Sequence, residues 1–366
     1  MKDTESLRYK IAFSLMPGIK CSLAKKLFAR YNSIDDIFRD SKILKKIAGK
    51  RREVLPKKLL EMADKEILFM NKNNVSAYYY FDEDYPVRLK QCEDAPLILY
   101  CKGKLNLNGE RMIAVVGTRR STEYGRHFCD SLISDMADSG GYTVVSGLAY
   151  GIDVASHRAC LKNDIPTIGV LGHPLNMIYP AVHRSVAQKM QKNGGLVSEF
   201  RTGSEIGKWT FVSRNRIIAG LSDATVVVES AARGGALITA GLANSYNRDV
   251  FALPGRINDS FSKGCNQLIR DNKAALIEDL DDLERFMSWG KKNVHKESIQ
   301  KELFIKLIPE EEKIHKVLLD KKLYIDEICA LTGLPLKRVF SLLLDLEFKG
   351  LVNSLPGKVY QWNELN

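Results

Sequence analysis

The side chains best suited to chemistry concentrate between Lys208 and Ala240, in the stretch KWTFVSRNRIIAGLSDATVVVESAARGGALITA. Lys208, Arg214 and Arg216 stand around an apolar helical segment, Ile217 to Leu221. The β-branched run from Ala224 to Val228 reads as a short buried strand, and Gly234-Gly235 opens a second helix from about Leu237. A parallel strand, a glycine turn and a helix N-terminus together make an anion site, because unpaired N–H groups and the helix dipole face the ligand there. Gly117-Thr118-Arg119-Arg120 follows the same logic. Glycine lets the backbone approach closely, Thr118 offers a hydroxyl, and arginine grips a phosphate with two N–H groups. Arg214 and Arg216 are two residues apart and so lie on different faces of a helix, which leaves either free to pair with Glu199 or Glu229.

Several other chemistries lack their parts. No G-x-G-x-x-G follows Gly117, so a dinucleotide fingerprint is missing. Gly203-Ser204-Glu205-Ile206-Gly207-Lys208-Trp209 is one residue short of a P-loop, and Trp209 stands where a magnesium-binding hydroxyl belongs. His157, His173 and His183, with Asp153 and Glu199, offer the raw material of a hydrolase. Yet no histidine pair has metal-binding i, i+4 spacing, and Gly-x-Ser-x-Gly is absent. Asp153 at a helix start reads more simply as a partner of the helix dipole. The sequence therefore predicts a non-enzyme with no metal and no cofactor.

The stretch Ser213-Arg214-Asn215-Arg216-Ile217-Ile218-Ala219-Gly220-Leu221 resembles the RNRIIAGL signature of the DprA/Smf family, the bacterial DNA-processing protein A family. Six further pieces match in order: Gly117 to Arg120, Ser146 to Asp153, Ile178-Tyr179-Pro180, Ser198-Glu199-Phe200, Leu237 to Ala240, and Val250 to Gly255. The similarity is strongest from about Tyr85 to Ile277. It implies a Rossmann-like domain that forms homodimers and binds single-stranded DNA without chemistry. It further implies protection of incoming strands and loading of the RecA recombinase during natural transformation. Carried onto this sequence, the DNA-contacting set is Gly117, Thr118, Arg119, Arg120, Ser146, Gly147, Gly151, Lys208, Arg214, Asn215, Arg216, Gly234, Gly235 and Thr239. Two departures stand out. Gly234 and Ala236 replace serines common in relatives, and His183 replaces the usual asparagine. The rival reading is a nucleotide phosphoribohydrolase of the lysine-decarboxylase-like group, whose Pro-Gly-Gly-x-Gly-Thr-x-x-Glu loop ends in a glutamate that the segment Arg233 to Gly241 lacks.

The elements that must position these groups alternate between strand and helix. Apolar strands are expected at 113–116, 142–145, 167–171, 196–199, 224–228 and 250–253, with helices between them. That alternation predicts a doubly wound parallel α/β sheet, with ligands at the carboxyl ends of its strands. Ala95 to Tyr100 reads as an edge strand, and Tyr78, Tyr79 and Tyr80 as packing aromatics or a base-stacking platform. Residues 1–77 read as a helical domain resembling a helix-hairpin-helix or SAM-like module, with Pro17-Gly18-Ile19 as its turn and Lys20 in place of a second glycine. Residues 78–288 form the α/β domain, 289–308 a charged linker, and 309–366 a segment resembling a winged helix. In the last, Lys337 and Arg338 open the recognition helix, and Pro356-Gly357 turns the wing; DNA reading and protein contact both stay open for it.

Composition agrees with this division. A chain of 366 residues with 45% hydrophobic content supports two or three domains. Its net charge is +11, and residues 1–75 alone carry 18 Lys and Arg against 9 Asp and Glu. Such basic asymmetry fits a nucleic-acid partner or a solvated helical face. Seven scattered cysteines without a C-x-x-C pair fit neither a zinc site nor a disulfide framework. With no apolar signal core and no membrane-spanning run, the expected setting is the reducing cytoplasm.

Overall fold

The computed structural model describes residues 2–19, 21–31, 34–40, 56–289, 307–319, 321–355 and 358–363. The expected phosphate contact of Lys20, the Pro356-Gly357 turn and most of the expected linker lie outside these residues. The chain divides into two compact units near residue 291.

In the first unit, four helices come before the sheet among the described residues: α1 (Lys2–Ser14), α2 (Cys21–Phe28), α3 (Ile34–Arg39) and α4 (Pro56–Asn73). The sheet region then runs β1 (Val75–Tyr79), α5 (Val87–Lys90), β2 (Ile98–Lys104), β3 (Arg111–Val116), α6 (Glu123–Ser139), β4 (Tyr142–Ser146), α7 (Ile152–Lys162) and β5 (Thr167–Leu171). It continues with α8 (Arg184–Met190), β6 (Gly194–Ser198), α9 (Lys208–Ser213), α10 (Asn215–Leu221), β7 (Ala224–Val227), α11 (Gly235–Ser245), β8 (Asp249–Ala252), α12 (Lys263–Arg270), β9 (Ala275–Leu276) and α13 (Leu280–Phe286).

Nine strands form one sheet in the order β1-β2-β6-β5-β4-β3-β7-β8-β9. From β6 to β9 all neighbours are parallel, whereas β1–β2 and β2–β6 are antiparallel. The chain winds outward from β3 through β4 and β5 to β6. It then returns to the other side of β3 and winds the opposite way through β7, β8 and β9. The direction reverses between β3 and β7, which opens a crevice at their carboxyl ends. The expected doubly wound fold is therefore present.

The apolar strand runs are buried on both sides. Met112, Ala114 and Val116 of β3 enter one core, and Ile113 and Val115 enter the other. Val226 and Val227 divide in the same way, as do Val250 and Phe251. This is the period-two alternation of a strand with helices on both faces.

The Ala95–Tyr100 segment is not the edge strand expected from its sequence. β1 pairs outside β2, so Leu99 and Tyr100 are buried. Tyr79 and Tyr80 are likewise buried, within an aromatic cluster of Phe28, Phe81 and Tyr85. They pack and are closed to nucleobases. The helices α1 to α4 feed the same core, through Ile11, Phe13, Leu27 and Met70. Residue 77, the expected domain boundary, falls inside β1.

The second unit comprises α14 (Pro309–Leu318), β10 (Lys322–Tyr324), α15 (Ile325–Thr332), α16 (Leu336–Phe348), β11 (Val352–Leu355) and β12 (Val359–Trp362). Its three-stranded antiparallel sheet has the order β10-β12-β11. Gly333, at φ 70°, caps α15 in the left-handed region, and Pro335 precedes α16. Together these give the helix-turn-helix and wing of a winged helix. The outward face of α16 is apolar: Leu336, Phe340 and Phe348 are exposed. Arg338 is spent on an ion pair with Glu310, whereas Lys337 at the start of this helix has no ion-pair partner among the described residues.

Glu311 holds this unit's first helix. Its carboxylate accepts from the backbone of Ile308 at 3.0 Å and from Lys349 Nζ at 2.5 Å. Burial pushes its carboxyl up, but Lys349 and the Ile308 amide outweigh this, and the net shift is downward. A depressed folded-state value adds stability above the unfolded pKa of about 4.3 and loses it as pH falls below that. Glu311→Gln is therefore expected to destabilise the second unit by about 1–3 kcal/mol at pH 7. The deficit relative to the parent should shrink as the pH approaches 3, read by thermal unfolding followed by circular dichroism.

Candidate functional site

At the β3–β7 crevice, three turns meet backbone to backbone. Thr118 N donates to Glu229 O at 2.7 Å, and Ile152 N donates to Thr118 O at 3.2 Å. Such contacts leave no room for side chains. A Cβ at Gly117 would stand 2.5 Å from Ile152 Cγ1. Gly151, at φ 78°, would drive one into Thr118 O. Glu229 is buried below, and its carboxylate holds Thr122, the N-cap of α6, by accepting from Thr122 N at 2.9 Å and from Thr122 Oγ1 at 2.5 Å.

The crevice widens into a cavity of about 570 Å³. One wall is cationic, with Arg119, Lys208 and Arg214; an apolar wall carries Val116, Phe211, Val212, Ile218, Ile238 and Tyr179. Opposite these lies the N-terminus of α11, an eleven-residue helix with Gly234 as its N-cap, no capping side chain and no acid in its first turn. Leu237 N donates to Gly234 O at 3.2 Å, whereas the Gly235 and Ala236 amides have no acceptor among the described residues, and they and the positive end of the dipole are left to the cavity. Gly235 meets open space where its Cβ would be.

The cations differ sharply in how they are held. Arg119 and Lys208 are exposed and form no hydrogen bond or ion pair among the described residues. Arg214 is buried, at 4% exposure. Its Nη1 donates to Gly147 O at 2.6 Å and also to Val170 O, and its Nε donates to Asn215 Oδ1 at 3.2 Å. Burial lowers the guanidinium's pKa, which the nearby Asp153 raises. The Asp153 carboxyl is pushed up by burial, against the pull of Arg214 and the Ala149 amide. Among the described residues, Asp153 is the only acid lining the cavity.

Of the residues expected from the sequence, the cavity gathers Gly117, Thr118, Arg119, Lys208, Arg214, Asn215, Gly234, Gly235 and Thr239. Five do not line it. Ser146 is buried, donating to Val115 O at 2.6 Å and so tying β4 to β3. Gly147 gives Arg214 its room, since a Cβ there would collide with the guanidinium. Gly151 shapes the turn before α7. Arg120 points to solvent with its amide on Thr118 Oγ1 at 3.2 Å. Arg216 turns away from the cavity and pairs with Glu199 and Asp94 O. Sequence reasoning left Arg216 open between strand and acid; its partner here is the acid.

Tyr179, 54% exposed, and Phe211 were not anticipated as site residues; their rings lie 5.5 Å apart on the cavity wall. The sequence signal for them was weak, since an aromatic at a turn is usually packed. The three histidines are buried outside the lining. His173 Nδ1 donates to Pro174 O at 3.0 Å while its Nε2 accepts from Tyr179 N at 3.2 Å. His183 Nδ1 donates to Leu148 O at 2.9 Å. His157 faces Thr167 Oγ1 at 2.7 Å, and burial holds its imidazole down at about 3. None is placed as a base toward the cavity. Among the described residues no cluster of His, Cys, Asp or Glu could hold a metal ion. No helix among them is long and apolar enough to cross a membrane.

These geometries separate support from contact. Arg214→Ala would strand Gly147 O, Val170 O and Asp153, and is expected to cost about 3–5 kcal/mol, as for a broken buried charge network. Arg119→Ala should melt like the parent. Differential scanning calorimetry of the two variants checks this; equal melting temperatures for both would refute the assignment.

Comparison with known proteins matches residues 76–288 to the family described as DNA recombination-mediator protein A, and residues 306–358 to the DprA winged helix domain. Protein Smf of Synechocystis is 30% identical, over 96% of this chain and 98% of its own. Protein Smf of Escherichia coli is 32% identical, over 98% and 95%. The X-ray structure of DNA processing protein A from Streptococcus pneumoniae aligns with a TM-score of 0.62 and 31% identity, covering 76% of this chain and 95% of that one. A Helicobacter pylori DNA processing protein A structure, described as giving insight into its single-stranded DNA binding mode, aligns with a TM-score of 0.53 and 29% identity, covering 58% and 95%. With the paired motifs, the doubly wound sheet and the winged helix all in place along one chain, this protein belongs to the DprA/Smf family of DNA-processing proteins.

Proposed function

We propose that the β3–β7 cavity binds single-stranded DNA and that the protein acts on strands by holding them, without chemistry. One observation carries the reading: two unpaired cations, Arg119 and Lys208, flank the uncapped N-terminus of α11 in a cavity with an aromatic wall. Phosphate would sit between the cations and the amides, and a splayed base against Tyr179 and Phe211. A duplex keeps its bases stacked inside and cannot present them to such a wall. The description of the Helicobacter pylori relative supports the same ligand class.

Around that site, residues 78–288 act as the DNA-binding part and residues 1–77 and 309–366 as accessories, the latter joined to it by the 289–308 linker. Protection of incoming strands, transfer to the RecA recombinase and action as a homodimer in the cytoplasm rest on family resemblance. The phosphoribohydrolase alternative finds no support, since the α11 segment carries Gly241 where the catalytic glutamate belongs, and Glu229 is committed to Thr122, the N-cap of α6.

Fluorescence anisotropy with labelled oligothymidine and a matched duplex tests the reading. The single strand is expected to bind more tightly at equal salt. Charge-assisted contacts are worth about 1.5–3 kcal/mol. Arg119→Ala should thus weaken binding roughly tenfold to a hundredfold, at about 1.4 kcal/mol per decade. Lys208→Ala should cost less, because an ammonium is a looser clamp than a guanidinium. Wild-type binding by both variants, or equal affinity for duplex, would rule the cavity out as the strand site.

A further inference from the structure

A second concave surface of about 610 Å³ lies between α7 and α8, outside the cavity just described. Its cations are Arg158 and Lys162 on α7, Lys189 on α8 and Lys192 just beyond it. All four are exposed, and none forms an ion pair or side-chain hydrogen bond among the described residues. The lining holds one acid, Asp164, whose Oδ1 accepts from Asn193 Nδ2 at 3.1 Å. Leu161 and Val186 give it an apolar floor.

This groove is joined to the cavity by α7 itself. Asp153, the second residue of α7, lines the cavity, and Ile152 is bonded to the turn that carries Arg119. At about 1.5 Å per residue, Arg158 lies roughly 7 Å and Lys162 roughly 14 Å farther along the helix. The segment leading into α8 also starts at the cavity, from Tyr179, and α8 runs on to Lys189. The two helices therefore run from the cavity end of the sheet and carry unpaired positive charge toward its other end. Charge without a matching acid is repelled by itself and costs stability unless a polyanion neutralises it. Flexible lysines without planar, bidentate geometry suit a sugar–phosphate backbone read without sequence preference.

We infer that the α7–α8 groove is a backbone track for the DNA strand leaving the cavity, engaging phosphates through Arg158, Lys162, Lys189 and Lys192. The inference rests on the proposed strand-binding role of the cavity and adds to it a path and a length dependence. A short strand fills the cavity alone, whereas a longer one also occupies the groove.

The test uses the full chain and two labelled oligothymidines, a hexamer and a thirty-mer, titrated over a range of salt. The variant is Lys162→Gln/Lys189→Gln/Lys192→Gln, all at exposed positions away from both cores. Three lost phosphate contacts should reduce the salt slope for the thirty-mer by about 2. They should also weaken thirty-mer binding by about tenfold at moderate salt, with hexamer binding unchanged. The triple Lys→Arg variant should restore the thirty-mer affinity. Parental affinity and slope for the thirty-mer in the Gln variant would overturn the groove while leaving the cavity standing. An equal loss on both lengths would overturn it too, as a general charge effect. A parent chain that binds neither oligonucleotide would overturn the cavity reading and the groove with it.

Discussion

The architecture of the site depends on one steric constraint: the turns after β3, β4 and β7 must touch through their backbones. Thr118 is held between Glu229 O and the Ile152 amide, and no side chain fits at Gly117 or Gly151. Gly151 also adopts a positive φ that an L side chain rarely takes, so two penalties coincide there. This closeness sets α7 and the Arg119 turn against each other and leaves the crevice to their side. It also admits Arg214. With Gly147 bare, the guanidinium reaches under the β4 turn to two carbonyls, Gly147 O and Val170 O.

From this follows the division of labour among the basic residues. A buried guanidinium must satisfy its N–H groups or lose stability, and Arg214 satisfies them within the protein. Arg216, two residues on, faces the other way and meets Glu199, whose carboxyl is pushed up by burial against the pull of Arg216. One short helix thus anchors two regions of the fold. The cations left for a ligand are those on turns and helix starts, Arg119 and Lys208, which form no ion pair among the described residues. The histidines are likewise turned inward, each with Nδ1 against a backbone carbonyl or a hydroxyl inside the fold.

The flanking parts contribute differently from each other. The N-terminal helices extend the first core, and Glu66 of α4 accepts from Thr202 N at 2.9 Å beyond β6. Removing them would uncover β1, β2 and the aromatic cluster, so their positive charge is carried on a segment the sheet needs for packing. The winged-helix unit has a core of its own, centred on Ile328, Val339, Leu343 and Leu346. Its helix α16 turns leucine and phenylalanine outward where a major-groove reader would carry polar and basic groups. That face is chemically suited to an apolar partner.

Much of this was legible from residue order alone. β-Branched runs bounded by glycine turns fix where strands start and stop, because burial on both faces demands unbroken apolar residues. The expected strand at 167–171 and the five others agree with the fold to within a few residues. Glycine at 117, 147, 151 and 234 marks close packing, which depends only on the missing Cβ. What the sequence could not decide is which polar group meets which. Arg214 finds Gly147 at a separation of 67 residues, Thr122 finds Glu229 at 107, and Arg216 finds Asp94 at 122. The interior place of β2 likewise depended on β1 pairing outside it. Local propensity sets backbone and periodicity, whereas the freedom or commitment of a charge is set by neighbours that only the folded chain brings near.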